Sequence, residues 1–203
     1  MLGTAFLIGS QGLALTAKHV ILGSEKESLI AVFALPEGGW FEYEIIAREV
    51  HESEDVALLR LEGDGWKSFL RLSNSAEFAS CKYRLWGYPD DATFELVENG
   101  RVAPRPDLVY NEGHIRRRYT GSLPQIKGNS FFELSEIAGS GASGGPICKF
   151  THPVWDVIGI YVGEKINDRA TSVSYAVREE AFRNWVPTNL GKSVLEESQQ
   201  VTV

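Results

Sequence analysis

Apolar residues along this chain come mostly in short runs that end at glycine, proline or polar clusters. Ala5-Phe6-Leu7-Ile8 stops at Gly9-Ser10-Gln11-Gly12, which predicts a strand and a turn, and Leu13–Thr16 restarts extended structure. Leu29–Leu35 and Phe41–Val50 predict two more strands on either side of Pro36-Glu37-Gly38-Gly39. Val56–Leu61 is mostly apolar, which suits a buried strand, and Gly63-Asp64-Gly65 breaks it. A second set follows at Tyr83–Trp86, Phe94–Val97, Ser130–Leu134, Pro146–Phe150, Val154–Val162 and Ser172–Val177. Short strands punctuated about every 8–12 residues predict an all-β sandwich or barrel. Arg178–Trp185 is the best helix candidate, ended by Pro187. Gly191–Val203 is polar and is expected to fray or to lead to a further segment. Between Pro89 and Ser130, Asn99-Gly100, Pro104, Pro106 and Gly113 predict a hairpin and at least one long surface loop.

Composition narrows the classes. A chain of 203 residues makes one large domain or two small ones sharing a cleft. With 43% hydrophobic and 23% charged residues it reads as an ordinary globular protein. No apolar run is long enough for a membrane-spanning helix, so no membrane partner is expected. Met1–Phe6 has no basic region ahead of an apolar stretch, so no secretory leader is read here and a cytoplasmic location is the expectation. A net charge of −7 argues against nucleic acid as a partner, and Arg116-Arg117-Arg118 reads as a solvated loop or strand face. Two cysteines, Cys81 and Cys148, form no metal-type pattern and are too few for a disulfide scaffold.

Three segments carry chemistry. Gly139-Ser140-Gly141-Ala142-Ser143-Gly144-Gly145-Pro146 is a tight loop in which a serine hydroxyl can project into a cleft. The amides of Gly141 and Ser143 are placed there to meet a developing oxyanion. In Leu15-Thr16-Ala17-Lys18-His19-Val20, a histidine sits between apolar neighbours that can fix a general base. Glu54-Asp55-Val56-Ala57 puts an acid at the mouth of a buried strand, where it can hold an imidazole in one tautomer. Taken singly, each has a plainer reading: a flexible turn, a core histidine, a strand-capping carboxylate. In the order His19, Asp55, Ser143 they reinforce one another. His51, His114 and His152 lack such contexts and read as surface residues.

These segments resemble the trypsin/chymotrypsin-like serine proteases. Gly3-Thr4-Ala5-Phe6-Leu7-Ile8 with Leu15–Val20 is similar to the strand and histidine motif of that family. Asp55-Val56-Ala57-Leu58-Leu59 is similar to its aspartate motif, and Gly141-Ala142-Ser143-Gly144-Gly145-Pro146 to its serine motif. Val157-Ile158-Gly159-Ile160 resembles the strand that lines the substrate cleft, and the likeness runs over residues 3 to 187. The resemblance implies two six-stranded antiparallel β-barrels of chymotrypsin type with a C-terminal helix, and an endopeptidase that uses no metal or cofactor. Residues 1–66 would form the first barrel with His19 and Asp55, 67–190 the second barrel with Ser143, and 191–203 a tail. Ile137, Gly159, Ile160 and Tyr161 would contact a protein or peptide substrate.

The chain also departs from the family. Ala142 stands where secreted members have an aspartate that pairs with a new amino terminus, so the motif is closer to HtrA-like and other intracellular branches. Ile137 stands where trypsin has the aspartate that selects Lys or Arg, which implies an uncharged P1 residue, with Glu164 a candidate modifier. The first barrel reads as short by its first strand, which makes a protein partner a candidate cover for that edge. The family's disulfide positions imply that Cys81 and Cys148 are neighbours on adjacent strands. Two rival functions remain open: a silent trypsin-like scaffold, and a protease component regulated within a larger bacterial defence or stress assembly.

Overall fold

A computed structural model describes residues 2–22, 28–34, 39–98, 101–151, 154–166 and 172–201. The first sheet contains β1 (Ala5–Ile8), β2 (Leu13–Thr16), β3 (Ile30–Ala34), β4 (Trp40–Val50) and β5 (Ala57–Leu61), in spatial order β1-β2-β5-β4-β3. All its pairings are antiparallel. The run Ala57-Leu58-Leu59 is central and buried, as its apolar sequence requires. β1 and β3 are the free edges, so among the described residues this is a five-stranded half-barrel rather than the expected six-stranded closed one. Ser68 Oγ donates to the Leu7 carbonyl at 2.8 Å and blunts part of the β1 edge.

The second half is a closed barrel. β7 (Lys82–Gly87), β10 (Val109–Thr120), β11 (Ser130–Leu134), β12 (Pro146–Thr151), β13 (Val154–Ile166) and β14 (Ser172–Arg178) run in the order β12-β7-β10-β11-β14-β13, and β12 pairs with β13 to close the ring. β6 (Leu70–Leu72) adds in parallel to the outside of β13. β8 (Thr93–Glu98) and β9 (Arg101–Pro106) form the predicted hairpin as a separate two-stranded sheet. Most of the rest of that stretch is the long strand β10, which carries His114 and the three arginines, and a loop over 121–129 leads into β11. Arg116 and Arg117 share Glu133 at 3.3 and 2.6 Å, and Arg118 meets Glu180 at 2.5 Å, so each arginine of the basic run has a carboxylate partner.

The two halves share one apolar cluster. Phe6, Ile8, Leu15, Val56 and Leu58 of the first sheet pack with Phe131, Val157, Ile160 and Val177 of the barrel. Cys81 immediately precedes β7, and Cys148 lies on the adjacent strand β12, opposite Arg84. The strands are neighbours as expected, but the register sets the cysteines three positions apart. That is about 10 Å of strand, beyond the reach of a disulfide, and both thiols are free.

The C-terminal region corrects two expectations. Arg178 belongs to β14, and only one 3₁₀ turn, Glu179–Ala181, forms where a helix over Arg178–Trp185 was predicted. The helix lies further on, at α2 (Val194–Ser198), inside the segment expected to fray. Its start is a capping box: Ser193 Oγ accepts from Glu196 N–H while the Glu196 carboxylate accepts from Ser193 N–H. Glu197 on α2 is fully buried. It accepts from Ser10 N–H at 3.0 Å and Gln11 Nε2 at 3.1 Å and pairs with Lys192 at 2.6 Å, so α2 fastens the β1–β2 turn. Removing one partner of such a buried cluster typically costs about 3 kcal/mol. Glu197→Ala is expected to lower the urea-unfolding midpoint accordingly, and an unchanged midpoint would show that α2 does not hold the fold.

Candidate active site

His19 lies in α1 (Lys18–Ile21), a single helical turn directly after β2. The residue before this turn, Ala17, has no side chain that can cap it. The cap comes from Asp55: its Oδ1 accepts from His19 N–H at 2.8 Å. The same carboxylate accepts from His19 Nδ1 through Oδ2 at 2.7 Å. A carboxylate only accepts, so Nδ1 carries the proton and Nε2 is left as the basic nitrogen. Asp55 is buried and the His19 side chain is 39% exposed, so a shielded acid orients an accessible base.

The loop that carries Asp55 is held from several sides. His51 Nδ1 accepts from Glu54 N–H at 3.1 Å, Val56 N–H donates to the Glu54 carbonyl, and Lys18 Nζ donates to the His51 carbonyl. The His51 ring packs edge-on against Trp185 at 5.3 Å. It is a structural acceptor, not the plain surface histidine expected. His114 stands on β10, and His152 lies outside the described residues. Glu54 is itself buried and its Oε2 accepts from Asn129 N–H at 3.0 Å, which ties the Asp55 loop to the second barrel.

The serine loop is tied in the opposite direction. Thr4, at the entrance to β1, donates its amide to the Ser143 carbonyl at 2.8 Å and its hydroxyl to the Gly141 carbonyl at 2.9 Å. The Ser140 carbonyl accepts from Asp90 N–H at 2.7 Å and the Ala142 carbonyl from Gly145 N–H at 2.9 Å. In a trans peptide the N–H points opposite to the C=O. The Gly141 and Ser143 amides therefore point away from these anchors, and neither donates a hydrogen bond among the described residues. Gly141 has φ +87°, a conformation that favours glycine. A side chain at Gly144 would run into the Thr4 carbonyl, so the loop can approach β1 only because that position is bare. Among the described residues Ser143 Oγ makes no hydrogen bond to His19 in this structure.

An acid-oriented histidine, a serine in a glycine-rich loop and two unengaged amides form the parts list of an acyl-transfer site. The sequence profile of the trypsin-like peptidase domain matches residues 3–160. The chain belongs to the trypsin-like peptidase family. No curated protein matches it. This trypsin-like peptidase is similar in fold to the HtrA-type protease AlgW, solved with a decapeptide, at TM-score 0.61 and 19% identity over 89% of this chain and 49% of that one. It thus spans about half the length of AlgW. It is also similar to an inactive form of the Rv3671c protease of M. tuberculosis H37Rv carrying Ser343Ala (TM-score 0.59, 19% identity, 88% and 76% covered). A third similar structure is the MamO protease domain of Magnetospirillum magneticum (TM-score 0.60, 12% identity, 91% and 88% covered). These likenesses place the peptidase in the chymotrypsin-type two-barrel fold with HtrA-type neighbours.

The residues expected to meet substrate fall into two groups. Ile137 is 42% exposed, and its carbonyl accepts from Asn111 Nδ2. Ile160 and Tyr161 are buried on β13, as is Gly159, which has no side chain, so no side chain at these positions offers surface to a ligand. Tyr161 instead holds the serine loop: its carbonyl accepts from Gly144 N–H, its amide donates to Gly145, and its hydroxyl accepts from Ala138 N–H at 3.3 Å. Thr4, Asp90, Glu54 and His51 were not legible as site residues, because each acts through a backbone group distant in sequence or through loop geometry.

Burial holds the His51 imidazole below its ordinary value of 6.5, with Lys18 adding to this and Glu54 opposing it. The folded state therefore prefers the neutral ring. Its contribution to stability is present above pH 6.5 and is lost as pH falls through the depressed folded value. Thermal unfolding between pH 7 and pH 5 is expected to show a falling midpoint, and His51→Gln a shallower fall. Equal slopes in the two proteins would remove His51 from the account.

Proposed function

We propose that this trypsin-like peptidase is an active serine endopeptidase that cleaves protein or peptide substrates. The observation that carries the reading is the buried Asp55 carboxylate, which fixes the His19 ring through Nδ1 while the ring remains accessible. Ser143 Oγ attacks the scissile carbonyl carbon, and its proton passes to His19 Nε2. The new C–O bond leaves a tetrahedral oxyanion facing the Gly141 and Ser143 amides. As the C–N bond breaks, His19 returns the proton to the leaving amine. Water, activated by the same histidine, then hydrolyses the acyl ester. AlgW, solved with bound peptide, supports a peptide as the substrate class.

Ser143→Ala is expected to lower peptide turnover by about 10⁶ while leaving the fold intact, since triad members act as one unit. Ser140→Ala, an exposed loop residue, is expected to retain near-full activity. A casein or peptide-library assay checks both: an inactive parent would leave the silent scaffold as the better description, and full activity in Ser143→Ala would overturn Ser143 as the nucleophile. With Ile137 at the position that is aspartate in trypsin, peptides with an uncharged P1 side chain are expected to be cleaved faster than those with Arg or Lys. Profiling on a mixed-sequence library reads this directly, and a strong Arg preference at P1 would overturn it.

A further inference from the structure

The conformation of the serine loop is not dictated by its own residues. Glycine at 139, 141, 144 and 145 lets the peptide planes turn over at little cost, so hydrogen bonds to neighbouring elements decide which way the amides face. Four successive carbonyls, from Ser140 to Ser143, are anchored, and Thr4 holds two of them. Its hydroxyl has one hydrogen and cannot rotate freely, because Tyr88 N–H donates to the same oxygen at 3.0 Å and leaves the proton for Gly141. Thr16 Oγ1 in turn donates to the Thr4 carbonyl at 2.7 Å. Thr4 is 4% exposed, so water is not at hand to replace these bonds.

We propose that Thr4 is a positioning residue for the proposed oxyanion site: its hydroxyl and amide, supplied by the first sheet, hold the Gly141–Ala142 and Ser143–Gly144 peptides, which alternate along the loop with the two donor-bearing peptides, and so keep both donors in place against the substrate. The proposal rests on the reading of Gly141 and Ser143 as the oxyanion donors. Thr4 touches no reacting atom and acts through the loop. Losing the hydroxyl frees the Gly141 carbonyl, and the Gly141–Ala142 peptide that joins the two donor-bearing peptides can then turn and displace them, while ground-state binding is little changed.

Thr4→Val replaces the hydroxyl with a methyl of similar size, and Thr4→Ser keeps the hydroxyl. Steady-state kinetics on a peptide cleaved by the parent protein separate kcat from KM. The expected result is a kcat lower by about 10²-fold in Thr4→Val, as for a displacement of about 1 Å at the reacting centre, with KM within about threefold and with Thr4→Ser close to the parent. Parental kcat in folded Thr4→Val, or Thr4→Ser as slow as Thr4→Val, overturns the proposal. If Thr4→Val does not fold by circular dichroism, Thr16→Val takes over, since it frees only the Thr4 carbonyl. A kcat reduced severalfold at constant KM upholds the proposal there, and an unchanged kcat overturns it. A parent protein inactive on every peptide would instead defeat the endopeptidase reading itself.

Discussion

The site is organised by the Asp55 carboxylate. One buried group satisfies the first turn of α1 and the His19 ring together, so the backbone and side chain of the base are set by the same two oxygens. Hydrogen bonds to a charged group contribute about 1.5–3 kcal/mol each, more than a neutral pair. Replacing the acid with an apolar residue would therefore loosen the helix turn as well as the imidazole, and the two effects cannot be separated by that substitution.

The two halves of the molecule are held by crossed contacts. The first sheet reaches over through Thr4 to the serine loop, and Glu54 beside the acid reaches over to Asn129 of the barrel. Each half of the chemistry thus has part of its geometry set by the other half. This is consistent with the single apolar cluster that runs under both. Three of the four carbonyls that orient the serine loop are held by residues outside it, Thr4 and Asp90, and the Asp90 turn leads directly into the β8–β9 hairpin.

Much of the architecture could be read from the chain because its strands are short, apolar and ended by glycine or proline. Ala57–Leu61 and Pro146–Thr151 fall where the pattern puts them. The proposed triad residues stood out because His19, Asp55 and Ser143 sit in local contexts with their own logic. What escaped was non-local. Thr4 looks like an ordinary strand-opening residue until a partner 137 positions away is in place. Tyr161 and Ile160 occupy a stretch that reads as cleft-lining, yet the barrel turns both side chains inward. The polar composition after Gly191 concealed α2, although Ser193-Val194-Leu195-Glu196 carried a cap signature that outweighs polarity.

Glu197 binds the β1–β2 turn from 187 residues away, and Ser198 and Gln199 hold Leu72 from 126 and 127 residues away. A contact that joins opposite ends of the chain raises contact order, and closing so long a loop slows the search for the native state. The β1–β2 turn closes on neighbouring residues, but its carboxylate partner is supplied by α2. Proteolytic trimming behind Gly191 would accordingly strip the support from the strand that begins at Ala5, at the far end of the sequence from the cut.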